Sequence, residues 1–151
     1  MSKSYISSSL AFYDNKIVIE DSGSHHNGME VMMDWEHPIM SASAAYVTQN
    51  GGDILEIGFG MGISAGYIQS HSISSHTIIE NHPQILEKLE TWASGKSNVT
   101  VVEGDWYTVD GLSTYDGIFL DTFGDDNFNN FKNFALVKIK SGGKITYWNN
   151  N

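Results

Sequence analysis

DILEIGFGMG, residues 53–62, narrows the fold more than any other stretch of this chain. A short, mostly apolar run that leaves through glycines reads as a buried parallel strand feeding a helix near Ile63. Such a strand needs others beside it, and the pattern repeats downstream. HTIIE (76–80) reads as a strand, Pro83 opens the helix QILEKLETWAS, and Gly95 closes it. NVTVVE (98–103) and YDGIFLD (115–121) are two further strands. Phe128, Phe131, Phe134, Ala135 and Val137 recur at near-helical spacing until Gly142 and Gly143 stop them, and KITYW (144–148) gives a fifth strand. Strands alternating with helices over short links imply an α/β fold, a doubly wound, Rossmann-like and mostly parallel sheet that ends after its fifth strand.

The first fifty residues read differently. LAFYDNKIVIED (10–21) alternates apolar and polar residues on both sides of Asp14-Asn15, as two strands of a hairpin do, and SGSHHNG (22–28) is a loop by composition. Pro38 suits the first turn of a helix running to about residue 49, where Gly51 and Gly52 can end it. With 151 residues and 40% hydrophobic content there is core enough for one domain and not for two. The expected organisation is a single unit, an N-terminal extension or lid over 1–50 and a cofactor-binding core over 51–151.

Charge and composition narrow the partners. The formal net charge is -10 and all eight basic residues are lysines, so a phosphate backbone would meet repulsion and nucleic acid is not expected as a partner. A carboxylate excess suits a cationic ligand, although it also serves as an ordinary solubilising surface. There is no cysteine, no run of about 18 apolar residues and no secretion signal at the N-terminus, so a cytoplasmic protein without membrane contact is expected. His25, His26 and His37 have no clear companion ligand, and no metal site is expected.

The glycines carry the first functional expectation. Gly58, Gly60 and Gly62 allow a ligand to approach the main chain closely, and Glu80 ends the second strand about twenty residues on, where ribose hydroxyls need an acceptor. A dinucleotide fingerprint would place a third glycine where Ile63 stands, which weakens an NAD-linked oxidoreductase reading. Glu56 suits a cationic amino-acid tail better than a pyrophosphate.

The pattern E-x-G-x-G-x-G resembles the first motif of class I S-adenosylmethionine-dependent methyltransferases. That resemblance implies S-adenosyl-L-methionine as cofactor and S-adenosyl-L-homocysteine as product. It places Gly58, Gly60 and Gly62 under the methionyl part and has Glu56 organise its ammonium. Glu80, with Asn81 beside it in the ribose-binding turn, takes the hydroxyls. Asp105 accepts from the adenine amine, and the Trp106 amide donates to a ring nitrogen.

VMMDWEHPIM (31–40) narrows the resemblance, being similar to the V-M-x-x-W-E-x-P-x-M signature of guanidinoacetate N-methyltransferases and protein-arginine delta-N-methyltransferases. ILEIGFGMGISA, HTIIENHPQILEKLETWA, YDGIFLDTF and FKNFALVKIKSGGKITYWN are similar to later parts of that family. The resemblance implies that Glu36 and Asp121 converge on the guanidinium of a small molecule or an arginine side chain. Asp121 would act as base and also border the cofactor. Physically this is sound: a flat cation with five donors can be held by two carboxylates that oppose its charge and fix the attacking nitrogen. Other roles remain for the same residues. Glu36 could cap a helix or pair with a cation, and the chain could be a non-catalytic module or accessory subunit that holds the cofactor or its product. The family continues beyond the fifth strand, so ITYW (145–148) is expected to form an apolar edge that a second copy of the chain covers.

Overall fold

The structure is a computed structural model, and it describes residues 9–13, 16–19, 30–33, 37–122 and 130–149. Three short strands come first, β1 (Leu10–Tyr13), β2 (Lys16–Ile19) and β3 (Glu30–Met33), forming an antiparallel sheet in that order. The first two are the expected hairpin, with Tyr13 opposite Lys16. The third strand was not expected, because EVMM is too short and too poor in β-branched residues to signal one; its partner β2 selects it. The Asp14-Asn15 turn and the 22–28 loop lie outside the described residues.

Helix α1 (His37–Val47) follows, then β4 (Asp53–Ile57), α2 (Ile63–Gln69), β5 (Ser75–Glu80), α3 (Pro83–Ala93), β6 (Val99–Glu103), β7 (Tyr115–Thr122), α4 (Phe131–Lys138) and β8 (Ile139–Asn149). The strands from β4 onward form one sheet in the order β6-β5-β4-β7-β8, and every pair in it is parallel. This is the expected doubly wound α/β architecture. Local chemistry explains several boundaries. The His82 ring accepts from the Gln84 amide at 3.2 Å ahead of Pro83, which starts α3 where a missing donor is harmless, and Ile85, Leu86 and Leu89 face inward at helical spacing.

One boundary differs from expectation. Gly142 and Gly143 do not separate α4 from a strand at 144; β8 starts directly after α4 and the two glycines lie inside it. There the register jumps from Tyr115 opposite Ile139 to Gly117 opposite Lys144. Gly142 has φ of 80°, and a Cβ on Gly143 would sit 2.7 Å from the Ile139 side chain, so the pair forms an irregularity only glycines permit.

Each face of the sheet has its own apolar layer. Met40, Ala44 and Val47 of α1, Ile68 of α2 and Leu89 of α3 pack with Ile54, Ile78 and Phe119 on one face. Leu55, Ile57, Ile79, Ile118 and Leu120 face the other way, under Trp106, Phe131 and Ala135. The alternation along β4, β5 and β7 follows the period of two that a pleated strand imposes. At Gly117 the carbonyl oxygen of Val47 occupies the space of a side chain, 2.1 Å from where a Cβ would be, so α1 rests on the backbone of β7. α1 is thus a layer of the main core. No helix among the described residues is long and apolar enough to cross a membrane.

At the amino ends of the strands, Lys140 Nζ lies 3.0 Å from Asp53 and 3.2 Å from Asp116. The Ser75 hydroxyl and Lys140 hold the Asp53 carboxyl below its ordinary value. These groups are more than a third exposed at two of the three positions, so the triad fixes the far end of the sheet at modest energetic gain.

Candidate functional site

The order of strands decides where a ligand can go. From β4 the chain winds through β5 to β6 on one side, then crosses to β7 and β8 on the other, so the connections diverge at the carboxyl ends of β4 and β7. A crevice opens at such a switch point. Ile57 is opposite Ile79 on one side and Leu120 on the other, so one residue later Glu80, Gly58 and Asp121 stand in a row across three strands. Neighbouring strands are about 4.8 Å apart, which puts the main chains of Glu80 and Asp121 about 10 Å apart with the glycine turn between them. All three share the face of the sheet that carries Ile54, Ile78 and Phe119. Two candidates that lie 41 positions apart in number, Glu80 and Asp121, are thereby brought to one edge.

The turn itself is built of backbone. Gly58, Gly60 and Gly62 have φ of 94°, 57° and 81°, in the region other residues avoid, and α2 begins from Gly62 with no side-chain cap. The Gly58 amide donates to the Ile79 carbonyl at 2.8 Å, and the Gly62 amide to the Phe59 carbonyl at 2.9 Å. What remains is half-exposed main chain at the crevice, the surface expected to lie under an extended ligand.

Glu80 is the polar centre of this edge. Its Oε1 accepts from the Phe59 amide at 2.8 Å, and its Oε2 accepts from the amides of Asn81 at 3.1 Å and His82 at 3.0 Å. One carboxylate therefore ties the glycine turn to the turn that opens α3. Burial pushes its carboxyl above the ordinary value, Glu56 adds to this, and the three amides oppose both. A carboxylate has about four acceptor positions, so a donor from a ligand can still be accommodated.

Asn81 and Asp105 meet across adjacent loops, Asn81 Nδ2 donating to Asp105 Oδ1 at 2.8 Å. The Asp105 carbonyl in turn accepts from the amides of Thr108 and Val109, both at 3.0 Å. Trp106, expected beside the adenine, is 4% exposed, with its indole 5.0 Å from the Phe134 ring and 5.9 Å from that of Phe131. That side chain fills the core under α4, and what residue 106 can offer a ligand comes from its main chain.

Glu56, expected to help organise the ammonium of the cofactor, is completely buried, with the Ser64 hydroxyl donating to one oxygen and His76 Nε2 at 2.8 Å from the other. In this conformation it holds the turn from behind and presents no surface to a ligand. The physical reason is the sheet register: Glu56 lies opposite Ile78 and Phe119, one step short of the open row. Glu36 lies outside the described residues, as do Trp35, His25, His26 and Phe128, so its approach to Asp121 stays an expectation. Among the described residues no group of three or more metal-ligating side chains comes together.

Sequence reasoning passed over Ser64, His76 and Gln84. The signal for His76 was available: HTIIE puts it on the same face as Ile78 and Glu80, and a polar ring on a buried face requires a partner. Gln84 could not have been found by spacing. Its side chain accepts from the Leu10 amide at 2.7 Å and donates to the Leu10 carbonyl at 3.1 Å, fastening β1 to the first turn of α3 beside the Glu80 loop.

The profile of the family described as guanidinoacetate N-methyltransferase matches residues 7–151. A protein arginine N-methyltransferase 2 of Kluyveromyces lactis is 37% identical over 158 residues, spanning 96% of this chain and 38% of its own length. Its counterpart in Eremothecium gossypii is 33% identical over 159 residues, spanning 96% and 37% respectively. The chain thus spans less than two-fifths of the curated relatives it matches. Among solved structures, coclaurine N-methyltransferase bound to N-methylheliamine and SAH superposes with a TM-score of 0.59 at 20% identity, over 77% of this chain and 36% of that one. At that identity the likeness establishes the fold.

Proposed function

We propose, from the premise that this chain belongs to the guanidinoacetate N-methyltransferase family, that it transfers a methyl group from S-adenosylmethionine to a guanidino nitrogen. The observation that carries this reading is the row of Glu80, Gly58 and Asp121 at the switch point. The residues present fit the cofactor: bare main chain at three glycines, a carboxylate at the end of β5 for ribose hydroxyls, and Asp105 at the next loop for an exocyclic amine. S-adenosylmethionine, when bound, supplies an electrophilic methyl on a sulfonium and leaves as S-adenosylhomocysteine.

The chain's own residues do the rest. A guanidinium nitrogen is a poor nucleophile because its lone pair is delocalised, so the acceptor must be held in line and lose a proton as the new bond forms. Asp121 accepts from the guanidinium and takes that proton. Glu36 supplies the second carboxylate, so that the cation is fixed on two edges. Both negative charges oppose the positive charge shared between acceptor and cofactor.

The names of the relatives favour an arginine side chain over guanidinoacetate as acceptor, since the curated proteins that match the chain are protein arginine N-methyltransferases. The test is transfer of labelled methyl to an arginine-containing peptide and to guanidinoacetate. Peptide labelling at least tenfold above guanidinoacetate supports the assignment, and cofactor binding without any transfer would leave a cofactor-binding module instead.

We also propose that a second copy of the chain covers the outer edge of β8. Among the described residues this strand is the outermost of the sheet, Tyr147 is 62% exposed on it, and Leu136 and Val137 are exposed on the adjoining α4. Light scattering over a hundredfold concentration range is expected to show a dimer; a monomer throughout would refute this.

A further inference from the structure

His76 has no part in the reaction proposed above, yet it is fully buried. It lies on the face of β5 that carries Ile78 and Glu80, with the edge of the Trp92 ring against it at 6.2 Å between centroids. Its Nε2 is 2.8 Å from Glu56 Oε1, and its Nδ1 is 3.0 Å from the side-chain nitrogen of Gln69. An amide nitrogen only donates, so Nδ1 accepts and the ring hydrogen sits on Nε2, directed at the Glu56 carboxylate. The other Glu56 oxygen receives the Ser64 hydroxyl.

These four side chains link the elements on either side of the glycine turn. Glu56 is the penultimate residue of β4, Ser64 the second residue of α2 and Gln69 its last. The Glu56–Ser64 bond therefore closes a loop whose tip is Gly58 to Gly62, and His76 fastens that loop to the neighbouring strand. The turn needs such support, because its three positive-φ glycines have little intrinsic preference for the conformation they adopt. On the crevice side it is held by the Phe59 amide on Glu80, an acceptor that ligand hydroxyls would share. From behind it is held by Glu56, Ser64 and His76.

We propose that His76 is a positioning residue of the cofactor site: through Glu56 and Ser64 it fixes the glycine turn on which S-adenosylmethionine lies. This rests on the cofactor reading above. Without the imidazole, Glu56 keeps one donor in a place closed to water, which draws it toward other partners and loosens Ser64 and the turn.

The test compares His76→Phe, which keeps a ring and removes both nitrogens, with His76→Gln, whose amide nitrogen can replace Nε2. Calorimetry with S-adenosylmethionine, well below each variant's melting temperature, is expected to give a dissociation constant at least tenfold higher for H76F and within threefold of the original for H76Q. KM for the arginine peptide should be unchanged in both. Ser64→Ala is expected to shift binding in the same direction as H76F, and it decides the matter if H76F does not fold. A lower melting temperature with unchanged cofactor affinity in H76F and S64A would overturn the proposal, since it marks His76 as packing alone. Failure of the unsubstituted protein to bind S-adenosylmethionine would instead overturn the cofactor reading.

Discussion

Replacing Glu80 by alanine is expected to raise the dissociation constant for S-adenosylmethionine about 100-fold. A charge-assisted hydrogen bond from a ribose hydroxyl, at up to about 3 kcal/mol, accounts for a change of that order. The substitution acts a second time through the protein. The amides of Phe59, Asn81 and His82 all donate to this carboxylate, and its removal strips them of an acceptor in a nearly closed site, lowering stability by roughly 1–3 kcal/mol. The turn and the start of α3 are then no longer tied together.

The same residue gives binding a pH dependence whose sign can be worked out. Burial raises the Glu80 carboxyl above its ordinary value in the free protein. Ligand hydroxyls donate more strongly to the anion than to the acid, so binding favours the ionised form. Affinity should therefore weaken as pH falls through the raised value and level off above it. Titrations in buffers of different ionisation enthalpy would show proton release on binding in that window. Proton uptake, or an E80A protein that binds as tightly as the original, would exclude Glu80 from the site.

Asp121→Asn is expected to have the larger effect on turnover and almost none on cofactor binding. Asparagine keeps the shape of the side chain at the end of β7 but cannot take a proton, and its amide group places donors against the donors of a guanidinium. A general base at this step contributes on the order of 10²–10⁴ in rate, and lost charge opposition adds to it, so kcat should fall about a thousandfold or more. The dissociation constant for S-adenosylmethionine should stay within about threefold. Single-turnover kinetics with a labelled cofactor and an arginine peptide separates the two quantities. Tenfold or less loss of turnover would remove Asp121 from the role of base. A large loss of cofactor affinity would make it a cofactor ligand instead.

The contrast between these two carboxylates follows from the sheet. Both occupy the open row beside Gly58, yet Glu80 is sealed by three amides while Asp121 is half-buried at the switch point. Glu56 lies two residues ahead of Gly58 on the same face and is cut off from the crevice altogether. Three acids on one face of one sheet thus divide into a tether, a candidate base and a buried brace according to the amides around them and their distance from the strand ends.

Much of this could be read from the chain alone. Apolar runs with glycine exits, helices opened by proline and ended by glycine, and an acid at the end of the second strand depend on interactions over a few residues, which spacing records directly. Thus β4 to β7, the helices between them, the glycine turn and the position of Glu80 emerged from DILEIGFGMG, HTIIE and YDGIFLD without further help. The pairing of β3 with β2, the glycine irregularity inside β8, the clasp between Leu10 and Gln84, and the burial of Glu56 against His76 did not. Each joins residues whose separation along the chain carries no information about their contact. Strand register and helix placement decide which side chains meet, and a shift of one residue would exchange the buried face for the open one. Sequence determined the elements and the type of chemistry at their ends. Only the tertiary structure decided which carboxylates face the crevice and which stand behind it.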